Sequence, residues 1–255
     1  MPTIGKLTRS NLAHTMPVHA DPLSFSSASF RGVNQVTFSY RTPTDAAAAL
    51  LPAELEIEEN PKVSVVFLSY GFSSVGPFRE YIHLIHARFR GEEVGFVPHI
   101  FISNERGMLA GREREGYPKL LGEIDFDMNG SNVYGLVTAQ LSRPAGITLA
   151  QGIFRPSELV GEISKDEPHV IKAIGLRVIG SAVPGGPLTV CELVPSALEF
   201  FAGEIWSGDG SLMFTGASAF SALHELPIVG AVEATALYNA AFRLRRPTET
   251  YPLSE

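Results

Sequence analysis

The chain has little of what would take it out of the ordinary globular class. A single cysteine, Cys191, in 255 residues excludes an intramolecular disulfide framework and is compatible with a reducing compartment. Its neighbours Val190 and Leu193 suit a small buried hydrophobe better than a nucleophile. No run approaches the roughly 18 apolar residues of a spanning helix, and no continuous apolar segment of a secretory leader opens the sequence. Basic charge is scarce: a net charge of -7 argues against a nucleic-acid partner, because phosphate binding needs clustered Lys and Arg. The longest basic cluster, Arg243, Arg245 and Arg246, reads as a solvated helix end. These absences predict a soluble cytoplasmic protein with neither a membrane nor a nucleic acid as partner.

Familiar catalytic patterns are missing as well. Gly95, Gly107, Gly111 and Gly116 lack the spacing of a phosphate cradle. Ser131, Ser142 and Ser181 lack a nucleophile-elbow context. His83 and His86 lie three apart in a strand-like run, which puts them on opposite faces, and no third ligand accompanies them. His99 and His224 read as packed or capping residues. No metal and no cofactor are expected.

An apolar fraction of 45% against 18% charged residues is enough for a sizeable core. Residues 1–29 are Ser/Thr/Pro-rich without sustained periodicity and predict an extended arm. A single domain is expected over 30–246, with a tail over 247–255. From Phe30, Val33, Gln35, Thr37 and Ser39 alternate with Asn34, Val36, Phe38 and Tyr40 as in a strand. Pro43-Thr44-Asp45 starts a short Ala/Leu helix that Pro52 closes. Strand-like runs follow at Val63–Ser69, Tyr81–Phe89, Val94–Ser103, Val133–Leu141, Ile147–Phe154, Val170–Ile179, Leu188–Val194 and Ser211–Thr215. Gly and Pro punctuation suggests hairpins rather than crossovers. A second helix is expected over Ala231–Phe242, rich in Ala and Leu. The pattern predicts an α+β fold built on a large antiparallel β-sheet closed as a barrel, with few helices.

One segment carries chemistry. The apolar residues Met108–Ala110, read as a strand, run into the charged turn Gly111-Arg112-Glu113-Arg114-Glu115, and Gly116-Tyr117-Pro118 then places Lys119 before Leu120 and Leu121. Pro118 fixes its own φ and biases Tyr117 to an extended conformation. Desolvation among Tyr117, Leu120 and Leu121 penalises an ammonium and favours a neutral, nucleophilic amine. The simpler alternative is a surface lysine whose stem lies on apolar side chains.

Gly111-Arg112-Glu113, a short spacer and Pro118-Lys119 resemble the signature of the acetoacetate decarboxylase superfamily. Tyr40-Arg41-Thr42, Pro52 with Leu55-Glu56-Ile57, Cys191-Glu192-Leu193, Glu204-Ile205-Trp206 and Leu226-Pro227 continue the likeness in the same order. The resemblance implies a barrel-like fold, assembly as a homo-oligomer, a keto-acid or ketone substrate, and an iminium formed by Lys119. It also implies a glutamate beside that lysine. Glu80 in Phe78-Arg79-Glu80-Tyr81-Ile82 matches, and could orient substrate or shuttle a proton. Without the resemblance, Glu80 could equally pair with Arg79 or sit on an exposed strand end. Arg112 and Glu113 are expected to pair and hold the turn.

Three positions depart from the decarboxylase pattern. An arginine on the first strand is replaced by Val33, with Gln35 two residues on and facing the same side. A second glutamate on the next strand is replaced by Val65, or Val66 if the register slips. A second lysine is replaced by Leu120. These exchanges predict a pocket walled by Tyr117, Val33, Gln35, Val65 and Leu120 that suits a substrate bulkier and more apolar than acetoacetate. The expected function is a cofactor-independent Schiff-base lyase that decarboxylates such a β-keto acid. An aldolase-dehydratase acting on pyruvate and aldehydes, or a catalytically silent binding barrel, are the alternatives.

Overall fold

Alternating side chains organise more than half of the chain into strands, and the two α-helices among the described residues are short. In a computed structural model, which describes residues 2–23, 28–215 and 221–254, the order begins β1 (Ala28–Arg41), α1 (Thr44–Ala48), β2 (Lys62–Ser73), β3 (Phe78–Phe89), β4 (Glu92–Ile102) and α2 (Glu105–Glu113). It continues with β5 (Lys119–Leu121), β6 (Glu123–Asp127), β7 (Val137–Ser142), β8 (Thr148–Glu162), β9 (His169–Ile179), β10 (Val190–Phe214), β11 (Val229–Arg245) and β12 (Tyr251–Pro252). The β3–β4 hairpin shows how local sequence sets register. Arg90 at φ 53° and Gly91 at φ 81° form a tight turn of the hand that matches strand twist, so Phe89 pairs with Glu92.

The strands β11, β1, β2, β3, β4, β9 and β10 follow one another laterally, and the β10–β11 pairing closes them into a ring. The sheet is mostly antiparallel, as the alternation predicts, with parallel pairings where β4 meets β5 and β9. Beyond β10 the sheet continues through β8, β7 and β6. This extension packs over the outer faces of β1–β3, where Phe38, Val65, Phe67, Tyr81, Phe126, Leu141 and Phe154 share one apolar cluster. A second cluster, whose buried members Val33, Leu68, Tyr70, Phe78, Ile102, Phe200, Leu237 and Phe242 come from ring strands, lines the ring interior. On β2 the division follows period 2: Val63, Val65 and Phe67 face the extension, and Leu68 and Tyr70 face the interior.

Several expectations are corrected. Ala231–Phe242 is not a helix but most of β11, paired along both edges with β1 and β10. Alanine's helical preference yields here to ladder hydrogen bonds and to space: a Cβ on Gly210 of β10 would lie 2.3 Å from Ala234 Cβ. Arg243 and Arg245 therefore end a strand, and both hold the Glu199 carboxylate. Met108–Ala110 lies in α2 rather than in a strand. Its N-cap Asn104 accepts from Gly107 N at 2.8 Å, and the two glycines that disguise it as a turn serve close packing, described below. The run expected from Val133 pairs only from Val137, and the segments Leu188–Val194 and Ser211–Thr215 belong to the two ends of β10, apart from a few flanking residues.

The N-terminal residues lie against α2: Leu23 is buried, Arg106 and Arg114 bond the Pro22 and Leu23 carbonyls, and Thr15 bonds Glu113. Residues 1 and 24–27 of the expected arm lie outside the described residues. Near the other terminus Tyr251 pairs with Leu193 of β10. Among the described residues no helix is long and apolar enough to cross a membrane.

His83 and His86 do face opposite ways: His83 Nε2 lies 2.7 Å from the Tyr40 hydroxyl, and His86 Nε2 lies 2.9 Å from Ser64 Oγ. Among the described residues no three His, Cys, Asp or Glu side chains gather as a metal site. Burial favours the neutral imidazole at three positions. It holds His83 well below the ordinary value, with His99 adding to the effect. His86 is lowered to about 4, chiefly by burial and then by Lys62, and His99 to about 4 by burial. A lowered folded-state value means the unfolded chain binds protons first. The stabilisation is thus present above pH 6.5, the ordinary histidine value, and is lost as pH falls toward about 4. Thermal unfolding from pH 8 to 4.5 should show Tm constant near the top of the range and falling below about 6.5; a flat profile would contradict this assignment.

Candidate active site

Glu80 enters the ring interior because β3 pairs in fixed register with both neighbours, Glu80 opposite Leu68 of β2 and Ile102 of β4. Lys119 arrives from the other side. The three-residue strand β5 adds to β4 with Lys119 opposite Ile100 and Leu121 opposite Ile102, so the lysine projects to the same face as Glu80. Its Nζ donates to Glu80 Oε1 at 2.6 Å, with the two side chains only 13% and 5% exposed. Tyr70, a diagonal cross-strand neighbour of Glu80, donates its hydroxyl to Oε2 at 2.8 Å. Burial, and then the Glu80 charge, raise the Tyr70 phenol well above its ordinary value and keep it a donor. Arg79, the alternative partner for Glu80, instead donates to the Ile124 carbonyl at 2.9 Å and lies 3.4 Å from Asp125.

The glycine of the Gly-Arg-Glu motif has a steric reason. The Lys119 stem lies across α2 at Gly111, where a Cβ would stand 2.4 Å from Lys119 Cε and 2.6 Å from Cδ. Gly107, one turn earlier on the same face, leaves comparable room for Ile102. After the helix, Tyr117 N donates to the Gly111 carbonyl at 2.9 Å and Lys119 N to the Tyr117 carbonyl at 2.8 Å. Arg112 Nη1 donates to the Lys119 carbonyl at 3.1 Å. Arg112 and Glu113 thus hold the segment separately, Arg112 to the lysine backbone and Glu113 to Thr15, and not through a pair with each other.

The expected pocket residues divide between the two faces of the sheet. Tyr117 is part-buried, with its hydroxyl 2.5 Å from Ser196 Oγ; burial raises its phenol above the ordinary value. Val33 is fully buried in the interior cluster, and Gln35, two residues on, donates to Thr37 Oγ1 at 2.9 Å. Val65 and Leu120 do not belong with them. Val65 packs in the outer cluster, and Leu120, one residue from Lys119 on a strand, turns away from it into the same outer cluster. Val66 is the β2 residue that shares the Glu80 face, opposite Ile82.

Three neighbours escaped the sequence reading. Tyr70 was recoverable from the β2–β3 hairpin register alone. Ser196 was not, because β10 approaches Tyr117 only through the tertiary fold. Glu115, in the charged turn, is 5% exposed. Burial raises its carboxyl above the ordinary value, opposed first by the Lys119 charge and then by Arg246 and Arg114.

A buried amine against a hydroxyl-anchored carboxylate, in an apolar ring, can attack a carbonyl and exchange a proton with the product of that attack. The acetoacetate decarboxylase (ADC) family model matches residues 15–251. The chain belongs to the acetoacetate decarboxylase family. Among curated relatives, "Decarboxylase DEC1" of Cochliobolus heterostrophus is 32% identical over 237 residues, covering 92% of this chain and 93% of that protein. "Acetoacetate decarboxylase 1" of Bradyrhizobium diazoefficiens is 31% identical over 212 residues, 78% of each chain. The family's fold is matched too. A structure described as "Structural Studies of Acetoacetate Decarboxylase" superposes with a TM-score of 0.82 at 19% identity, covering 98% of this chain and 100% of that one. The enduracididine biosynthesis enzyme MppR, complexed with the condensation product of pyruvate and imidazole 4-carboxaldehyde, gives 0.74 at 21% identity over 99% and 98%. Family membership points to a decarboxylase or related lyase acting on a small molecule.

Gly111→Ala tests the geometry directly. The helix gains intrinsic propensity of about 1 kcal/mol from the exchange, while the new methyl displaces the Lys119 stem. Circular dichroism should report a folded protein, with turnover reduced about 100-fold by an ångström-scale displacement of the amine. Unchanged turnover would mean that Gly111 does not set the lysine's position.

Proposed function

We propose that this chain is a cofactor-independent Schiff-base decarboxylase whose substrate is a β-keto acid bulkier than acetoacetate. The observation that carries the reading is the Lys119 Nζ–Glu80 Oε1 contact of 2.6 Å inside the ring. Glu80 takes a proton from the ammonium, which leaves a neutral amine. Nζ attacks the β-carbonyl carbon, and loss of water gives an iminium on Lys119. The bond between the carboxylate carbon and the α-carbon then breaks, carbon dioxide leaves, and the electron pair flows through the α-carbon to the iminium nitrogen as an enamine. Glu80 gives its first proton back as the carbinolamine loses water, takes another from solvent and delivers it to the α-carbon, and water then releases the ketone and restores the ammonium. Tyr70 holds Oε2 throughout and leaves Oε1 for proton traffic. Tyr117, Val33, Gln35 and Val66 form the walls.

Of the apolar replacements, Val33, together with Val66 on the same face, supports the substrate assignment. Val33 stands in the interior at the position where the decarboxylase pattern has an arginine, a cation suited to a small charged β-keto acid, so the pocket favours bulk and apolarity. The same iminium also supports carbon–carbon bond formation, and MppR, which shares the fold, has a structure with a condensation product; loss of added aldehyde rather than release of carbon dioxide would identify that chemistry. We extend the proposal to a homo-oligomer. Leu159 and Val160 of β8 and Val170, Val178 and Ile179 of β9 are exposed, and such surface is commonly covered in assemblies.

Carbon dioxide release from a panel of β-keto acids tests the reading. Lys119→Ala should abolish it, and Glu80→Gln should lower kcat by roughly 10²–10⁴, the range for a positioned general acid-base. Turnover that survives Lys119→Ala would overturn the mechanism. Ligand binding without any turnover by the parent would identify a silent barrel.

A further inference from the structure

The lysine and glutamate occupy one end of two lateral rows of side chains that cross the ring. From Glu80 the pairing register runs to Leu68, then Gln35, then Leu237, and ends at Ile205. From Lys119 it runs through Ile100 and Ile82 to Val66, then Thr37, and ends at Thr235. No register shift interrupts β2 against β1 or β3, and those of β1 and β10 against β11 and of β3 against β4 fall outside the paired positions of the two rows, so every member of a row faces the same side. Where the rows end, Gln35, Phe200, Ile205, Thr235 and Leu237 line a cavity of about 180 Å³. Between the two ends Ile82, Val66, Thr37 and Gln35 are only part-buried, with Ile82 and Val66 lying against the interior cluster.

The Schiff-base reading fixes one end of any substrate, because the β-carbon must reach Nζ. A substituent beyond that carbon then has one apolar course, along the rows toward the cavity. Glu80 and Leu237 are three strands apart, about 14 Å measured along the sheet, and ring curvature shortens the direct path. A cavity of this volume takes about six heavy atoms at ~30 Å³ each. Its lining offers Ile163, Ile171, Phe200, Ile205 and Leu237 for contact, with Gln35, Thr235 and His169 as its polar members and no Lys, Arg, Asp or Glu. The predominantly apolar lining therefore favours a hydrocarbon distal group over a charged one.

Resting on that reading, we infer that the substrates are medium-chain aliphatic 3-oxo acids, and that the cavity at Gln35, Thr235 and Leu237 is the subsite for the end of the alkyl tail. The carboxylate and carbonyl remain at Lys119 and Glu80, and the tail lies over Val66 and Thr37. Added methylenes then contribute binding until the cavity is full, after which kcat/KM stops rising.

The test is a series of straight-chain acids from 3-oxobutanoate to 3-oxodecanoate, followed as ketone product with the full-length protein and with Thr235→Trp, whose indole would occupy the cavity. The parent should gain up to roughly fourfold in kcat/KM per methylene, the full transfer value, with a plateau in the longer members. In Thr235→Trp the ratio of kcat/KM for 3-oxooctanoate to that for 3-oxobutanoate should fall toward one. If that variant does not fold, Ile205→Trp fills the same cavity from β10, and competition by 2-alkanones of graded length tests the parent without substitution. A parent whose kcat/KM is independent of tail length, or a ratio unchanged by filling the cavity, overturns the tail subsite and leaves the decarboxylase standing. If no member of the series is turned over, the decarboxylase reading itself fails.

Discussion

An ammonium and a carboxylate placed together in an apolar ring govern the rest of this structure. Withdrawing two charges from water carries a desolvation penalty that their attraction alone seldom offsets. The Lys119–Glu80 pair therefore contributes little as a device for stability, and removal of either partner strands the other. The fold surrounds the pair with what it needs. The Tyr70 hydroxyl satisfies the second carboxylate oxygen, Gly111 leaves space for the lysine stem, and Arg112 fixes the lysine's backbone carbonyl. These supports come from β2, from α2 and its C-terminal end, and from β3 and β5, so the site exists only once the ring is closed.

Closure also explains the division of labour in the core. The strands of the ring present two faces, and only one of them meets the β6–β8 extension. That outer face carries the larger apolar cluster and stabilises the fold without contributing to the site. The inner face holds the smaller cluster and the Lys119–Glu80 pair. A change such as Val65→Ala would therefore act on stability, by about 2 kcal/mol for a buried branched side chain, and reach the chemistry only indirectly.

Much of this was legible in sequence because period 2 is robust. The strands β2, β3 and β4 and the facing of Glu80 follow from alternation, and the Pro-Lys motif located the amine. What was not legible has physical causes. Ala-rich β11 looked helical because intrinsic propensity takes no account of the ladders on both of its edges. Helix α2 looked like a short strand running into a charged turn because its glycines, costly to an isolated helix, are there for Ile102 and Lys119. Val65 and Leu120 were assigned to the pocket by matching them to the family pattern, with Val66 as the alternative to Val65, yet each stands one residue from the face that matters. Ser196 and the buried Glu115 depend on contacts between distant segments, which a single sequence does not encode locally.

Reductive trapping tests the central claim most directly. The protein is incubated with a β-keto acid or its ketone product, treated with borohydride, and digested for mass spectrometry. A Schiff base at Lys119 predicts a stable adduct of the reduced ketone on the peptide containing Lys119 and none in Lys119→Ala. An unmodified Lys119 under turnover conditions, or an adduct on a different lysine, would contradict the account.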